Sequence, residues 1–175
     1  QRELAVTTVY VTHDQIEAMT MGDRVAVLKD GYLQQVDTPQ NLYDKPDNVF
    51  VAAFIGSPSM NLYEATLDLT EDTGVIQLGD QTLTVGREVL DARPALRGHA
   101  GKPIIIGIRP EDFEDAAMVE HDTADRQLTS NVRLIEALGS ELMVHFDINA
   151  RVVDSGDPDA VEESDAASNA VGRFN

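Results

Sequence analysis

His13 is the residue of this chain whose surroundings best suit chemistry. The β-branched run at residues 7–11 favours a short strand, and Asp14 followed three positions later by Glu17 is typical of a helix N-cap with a reciprocal carboxylate. His13 would then lie where a strand ends and a helix begins, at the edge where open α/β sheets bind ligands and helix N-termini favour phosphate. From spacing alone, a histidine that only completes a loop hydrogen bond stays an open alternative.

The other histidines do not indicate a metal site. They lie far apart and lack the three- or four-residue spacing of a zinc-binding helix; they are His99, His121 and His145. We therefore expect no bound metal. The neighbours Thr12, His13 and Asp14 are equally unsuited to a hydrolase triad, because adjacent residues cannot align nucleophile, base and orienting group.

Arg109 and Glu111 flank Pro110 at the end of the apolar strand 104–108. Proline cannot continue a sheet ladder, so an ion pair between the two charged side chains that pins the turn is the favoured interpretation. A role in contacts with a partner is the alternative. Gly139 is expected to supply a turn.

The first part of the chain alternates helix and strand signals. The predicted elements are a strand at 7–11, a helix at 14–21 stopped by Gly22, strands at 25–28 and 33–36 around a turn at 29–31, a helix capped by Thr38 and ended by Pro46, and a helix at 48–55 stopped by Gly56. Such an order is typical of an α/β unit, and we place its boundary at residue 58.

Beyond the boundary, short apolar strands are separated by glycine-rich turns. They are expected at 62–69, 75–78, 82–85, 102–108, 128–137, 141–146 and 170–174. Several such strands within residues 59–175 predict a small, all-β barrel, incomplete at its C-terminal end. The fold class is therefore α+β.

Composition excludes several functions. A net charge of −18 opposes binding to nucleic acid, which requires a basic patch. The acidic residues of 154–165 lie among Gly, Ser and Ala, and they predict a solvated, mobile loop of unknown role rather than a calcium loop. No segment reaches the roughly 20 apolar residues needed to span a bilayer. The absence of cysteine excludes disulfides.

Several motifs together resemble one protein family. The segment VYVTHDQIEAM (residues 9–19), followed by MGDRVAVL (21–28), closely resembles the switch-histidine region of ABC transporter ATPase subunits. Three further segments resemble the sugar-importer branch of that family: TPQNLY (38–43), FVAAFIGSPSMN (50–61) and GIRPED (107–112). The resemblance is close to complete as far as residue 146.

The resemblance implies a function. It makes residues 1–58 the closing α/β piece of a nucleotide-binding domain and 59–175 an OB-like (TOBE) regulatory domain of an importer ATPase, with Arg109 and Glu111 as candidate contacts. His13 would be the switch histidine, which contacts the γ-phosphate of ATP and helps to hold the attacking water, while Asp14 and Glu17 would support it from the helix start. Such a subunit uses ATP and Mg²⁺ and works as a homodimer beneath transmembrane permease subunits, on the cytoplasmic face of the membrane, with regulatory proteins as further partners.

Motifs that precede the switch histidine in that family are missing. The chain has no Gly-x-x-x-x-Gly-Lys-Ser/Thr loop, no Leu-Ser-Gly-Gly-Gln signature and no apolar strand ending in Asp-Glu. We therefore expect a C-terminal fragment that is inactive alone and binds neither ATP nor Mg²⁺. The alternative is a non-catalytic regulatory or ligand-binding β-module.

Overall fold

A computed structural model describes residues 6–120, 123–156 and 170–174. The packing of the chain separates a first unit that ends at Gly56 from a second unit that begins at Ser57. Most of the acidic stretch, from residue 157 onward, and His121 lie outside the described residues. No helix in the described ranges has the length and apolar character needed to cross a membrane.

The first unit contains three short helices and a hairpin. Its elements are α1 (Gln15–Met21), β1 (Val25–Lys29), β2 (Tyr32–Asp37), α2 (Pro39–Asp44) and α3 (Val49–Phe54). The predicted N-caps Asp14 and Thr38 are present, and Asn48 caps α3 in the same way: each side chain accepts a hydrogen bond from the first turn of its helix. The hairpin turns at Asp30 and Gly31, whose φ angles of 51° and 80° suit a type I′ turn.

A small apolar cluster holds the first unit together. Val27 of β1 packs with Leu42 of α2 and with Val51 and Ile55 from the last helical segment, and all four are buried. Each helix is too short to be stable by itself, so this shared burial supplies the stabilisation that helix propensity cannot.

The strand predicted at residues 7–11 is not formed. Val9 and Val11 are 87% and 90% exposed, and within the described residues the only sheet of the first unit pairs β1 with β2. The prediction was wrong because a β-branched run favours extended backbone, but a strand also needs a partner for its ladder of N–H and C=O groups.

The described part of the second unit contains two antiparallel sheets and one short helix. Its elements are β3 (Asn61–Leu69), β4 (Gly74–Leu78), β5 (Gln81–Val85), α4 (Arg87–Ala92), β6 (Pro103–Ile108), β7 (Val132–Leu138), β8 (Glu141–Phe146) and β9 (Ala170–Phe174). The sheet orders are β5-β4-β3-β6 and β7-β8-β9. The inner faces share a core with Tyr63 at its centre, and burial raises the pKa of this tyrosine. The core consists of Tyr63, Ala65, Leu78, Phe146, Ile148 and Ala170.

The predicted barrel is instead a pair of open sheets in the described residues. The strand expected at 128–137 begins only at Val132, and α4 was not anticipated. The sheets meet through irregular contacts: residues 151–153 run beside β3, where Glu64 N donates to Arg151 O over 2.8 Å and Val153 N donates to Leu62 O over 3.0 Å. The number of strands predicts a closed barrel, but whether the two sheets join depends on how segments far apart in the sequence meet.

Asn61 joins the two sheets with its side chain. Its Nδ2 donates to Ile108 O (3.0 Å) and Val171 O (2.9 Å), and its Oδ1 accepts from Val171 N (2.8 Å). One amide thus connects β3 and β6 to β9 where no backbone ladder does so among the described strands.

We expect Asn61→Ala to lower the free energy of unfolding of the second unit by about 2–3 kcal/mol, because three hydrogen bonds are lost and backbone groups of Val171 are left without partners. Hydrogen exchange of the slowest amides in β3 measures this loss. Asn131→Ala, at an exposed position, is the matched control. Equal, small effects of both changes would show that the side chain does not join the sheets.

A second prediction concerns Gly79. It has φ +59°, and a Cβ at this position would overlap the backbone carbonyl of Asn149, whereas Gly101 has φ +69° and open space around it. Gly79→Ala should therefore lower the free energy of unfolding of the second unit by about 3 kcal/mol or more, against about 1–2 kcal/mol for Gly101→Ala, which carries the backbone strain alone. Hydrogen exchange of the slowest amides in β3 compares the two variants. Similar losses of unfolding free energy in both would contradict the close approach of Asn149 to Gly79.

Candidate functional site

His13 lies exposed on the turn that leads into α1. Its ring makes no hydrogen bond within the part of the chain that the structure describes. The backbone on either side is held, however, because Thr12 is partly buried and Asp14 caps the helix. The imidazole is therefore a free donor and acceptor mounted on an anchored turn.

Asp14 fixes the start of α1. Its Oδ1 accepts from Glu17 N over 3.1 Å, and its backbone carbonyl accepts the first helical hydrogen bond from Ala18 N, also over 3.1 Å. This satisfies amide groups that a helix start otherwise leaves without partners. Asp14 therefore acts on the helix rather than on the space in front of His13.

Glu17 makes different contacts from those predicted. Instead of returning to the backbone of Asp14, its Oε2 accepts from Thr12 Oγ1 (2.8 Å) and Tyr10 Oη (2.9 Å). The backbone N of Asp14 donates to Thr12 Oγ1 over 2.9 Å. The predicted reciprocal cap was wrong because the Thr12 hydroxyl already serves this amide, which leaves the carboxylate for the two hydroxyl groups.

The phenol of Tyr10 responds to this carboxylate. The hydrogen bond to Glu17 and the negative charge of Glu17 raise the pKa of Tyr10, and the Asp14 carboxylate adds a smaller effect in the same direction. The neutral phenol is thus favoured, and the phenol loses its donor proton as the pH rises through the elevated pKa of Tyr10.

Gln15 makes a long-range contact that the sequence did not reveal. Its Oε1 accepts from Gly56 N over 3.0 Å, which ties the first residue of α1 to the residue that follows the C-cap of α3. The two positions are 41 residues apart, so no local spacing signals the contact.

Arg109 and Glu111 lie in the second unit and do not form the predicted ion pair. Arg109 is buried at 6% exposure, whereas Glu111 is exposed, and no ion pair links them among the described residues. A 3-10 turn (Pro110–Asp112) begins directly after Arg109. Arg109 is therefore largely shielded from solvent, whereas Glu111 is accessible.

The other described histidines do not combine into a metal site. His145 Nε2 lies 2.9 Å from Glu136 Oε2, and His99 ends a 3-10 turn (Pro94–His99). Across residues 6–120, 123–156 and 170–174, no three His, Asp or Glu side chains are grouped as metal ligands.

A polar hollow of about 350 Å³ opens in the second unit. Gln81 and Thr129 form part of its wall, with Gln81 Nε2 donating to Thr129 O (3.0 Å) and Thr129 N donating to Gln81 Oε1 (2.6 Å). The lining contains two carboxylates and no basic side chain, so it disfavours anions. It consists of Asp80, Gln81, Thr129, Ser130, Asn131, Asp147, Ile148 and Asn149.

Comparison with known proteins matches the motifs. Residues 56–113 match the family described as the MalK OB fold domain. The chain is similar to the trehalose/maltose import ATP-binding protein MalK of Thermococcus litoralis, at 48% identity over 147 residues that cover 83% of this chain and 38% of the relative. The diacetylchitobiose uptake system ATP-binding protein MsiK of Streptomyces coelicolor is 47% identical over 150 residues, 81% of this chain and 38% of the relative.

A third relative aligns over more of the chain. The trehalose import ATP-binding protein SugC of Mycobacterium tuberculosis is 42% identical over 175 residues, which cover 96% of this chain and 42% of the relative. The chain thus spans about two fifths of the length of these relatives. These matches confirm the resemblance that the sequence motifs carry.

The geometry of the turn leads to a prediction for Asp14. Asp14→Ala should destabilise the first turn of α1 by about 1 kcal/mol, because Glu17 N loses its side-chain acceptor. The protection of the Glu17 amide against hydrogen exchange measures this effect. Asp23→Ala, which removes an exposed carboxylate just beyond the helix, should leave that amide unchanged. Equal protection in both variants would contradict the capping role.

Proposed function

Because the chain belongs to the family of sugar-importer ATP-binding subunits with a MalK-type OB fold domain, we propose that it supplies the switch histidine and the regulatory β-domain of an ABC transport ATPase. The subunit hydrolyses ATP to energise uptake of a sugar through a membrane permease. In our proposal these 175 residues do not hydrolyse ATP by themselves, because they contain no P-loop sequence.

The observation that carries this proposal is the anchored turn at His13. An exposed imidazole on a turn held from both sides can contact the γ-phosphate of ATP and help to hold the attacking water. Phosphoryl transfer depends mainly on positioning and on stabilising charge, so one well-placed ring has a large effect. Glu17 instead holds the turn, since its Oε2 accepts hydrogen bonds from Tyr10 and Thr12.

ATP and Mg²⁺ need further residues. No P-loop sequence occurs in the 175 residues, and the described side chains provide no group of carboxylates suited to a metal. The described residues therefore do not fit a magnesium site by themselves. In our proposal, the contribution of this chain to catalysis is confined to His13 and the residues that hold it.

The partners follow from the same proposal. Transmembrane permease subunits, a second ATPase subunit and regulatory proteins act with the subunit, which works on the cytoplasmic face of the membrane. The names of the relatives support an import system for saccharides. The second unit is the site of regulation, with the exposed Glu111 and its neighbour Arg109 as candidate contacts.

A regulatory or ligand-binding β-module is the second candidate. The polar hollow beside Asp80 and Asp147 supports it, because a lining of amides, hydroxyls and carboxylates suits a neutral ligand with hydroxyl groups. The first candidate has the additional support of the His13 turn.

The test compares ATP turnover by an intact transport ATPase that contains this sequence with turnover by its His13→Ala variant. We expect a loss of about 100-fold or more, because the ring is needed at the reacting phosphate. His99→Ala removes an exposed histidine of the second unit and should leave turnover unchanged. ATP turnover that survives His13→Ala overturns the switch role. A wild-type protein that is well folded but shows no ATP turnover favours the β-module.

A further inference from the structure

One carboxylate connects the two sides of the His13 turn. Glu17 belongs to the helix that follows His13, whereas Tyr10 and Thr12, whose hydroxyl groups donate to its Oε2, belong to the segment that precedes it. The distances are 2.9 Å from Tyr10 Oη and 2.8 Å from Thr12 Oγ1. Glu17 therefore spans the turn from one side to the other.

Thr12, Asp14 and Glu17 form a closed ring of hydrogen bonds around His13. Asp14 N donates to Thr12 Oγ1 (2.9 Å), Thr12 Oγ1 donates to Glu17 Oε2 (2.8 Å), and Glu17 N donates to Asp14 Oδ1 (3.1 Å). Each group is used in its normal sense, since the hydroxyl accepts once and donates once. The ring fixes the residues on both sides of the histidine.

Among the described residues, the segment before His13 makes few other contacts. Residues 6–12 belong to no strand, and Val9 and Val11 are almost fully exposed. In the described residues, the contacts with Glu17 and Asp14 are thus the principal constraints on the approach to the turn. A flexible approach would leave the imidazole with many orientations, and ordering it during the reaction would slow the reaction.

We propose that Glu17 is a positioning residue that acts through His13, by tying Tyr10 and Thr12 to α1. This inference rests on the proposed function and assigns to Tyr10 and Thr12 the same supporting role. Glu17 does not touch the reacting atoms. Its removal leaves His13 present but poorly oriented.

The first experiment tests the contact in this chain alone. The phenol of Tyr10 is titrated by ¹³C NMR at its Cζ, and the signal is assigned by its absence in Tyr10→Phe. In the wild type it should titrate above the ordinary tyrosine range, because Glu17 raises its pKa, and Glu17→Ala should return it to that range. Glu71→Ala, which removes an exposed carboxylate in the second unit, should have no effect. An unchanged Tyr10 titration in Glu17→Ala overturns the proposal.

The second experiment is a double-mutant cycle on ATP turnover by the intact transport ATPase. Glu17→Ala should lower kcat by roughly 10- to 100-fold with little change in KM, whereas in the His13→Ala background it should cause no further loss. Glu17→Gln retains an oxygen that can accept both hydroxyl groups and should restore most of the turnover. Glu17→Gln also shows whether turnover depends on the hydrogen bonds that position the turn or on the negative charge of Glu17.

The outcomes separate the two proposals. If His13→Ala leaves turnover unchanged, the proposed function fails, whatever Tyr10 shows. If His13→Ala lowers turnover by about 100-fold, and Glu17→Ala lowers the residual turnover by the same factor as it lowers that of the wild type, the switch role stands and the positioning role of Glu17 is wrong. If Glu17→Ala is poorly folded, the Glu17→Gln and Thr12→Val variants decide: loss in Thr12→Val with retention in Glu17→Gln supports the proposal, and the reverse overturns it.

Discussion

Hydrogen bonds from side chains to the backbone determine this structure wherever a regular ladder stops. Buried or partly buried amide and carbonyl groups must find partners, and neither short helices nor open sheets supply them all. The amide of Asn61 serves Ile108 and Val171 at the seam between two sheets. Thr12 does the same on a smaller scale, since its hydroxyl serves Asp14 N at the start of α1.

Apolar burial provides the frame within which these contacts can act. The second unit builds its core from both sheets, with Tyr63 fully buried between them. In the first unit the core is smaller, and α1 has no fully buried residue. The helix that carries the candidate catalytic turn is therefore held by polar contacts, including the one between Gln15 and Gly56, as well as by the partly buried Met19, which packs against that core.

Local chemistry made part of this fold predictable. The caps at Asp14 and Thr38 and the turn at Gly31 follow from residue type and spacing, because each acts over three or four positions. Strand patterns likewise indicated β3–β6, β8 and β9, although they say nothing about how the two sheets meet. The strand expected at 7–11 failed for the same reason, since propensity describes one strand and pairing requires two.

The candidate site was predictable in its residues but not in its contacts. His13, Asp14 and Glu17 stand out by spacing, and Asp14 caps the helix as its position implies. The partners of Glu17 depend on how the chain before His13 approaches the helix, which no periodicity encodes. Arg109 illustrates the same limit. The sequence does not indicate that Arg109 is buried before the 3-10 turn while Glu111 within that turn is exposed.

The ring around His13 also affects how the molecule folds. Its members lie within five positions of one another, and even the contact of Tyr10 with Glu17 spans only seven. Closing such short loops costs little chain entropy and takes well under a microsecond, whereas pairing Asn61 with Val171 must bring together residues 110 positions apart. The turn that carries the histidine can therefore assemble before the sheets do, and its geometry is available to whatever part of the protein folds against it.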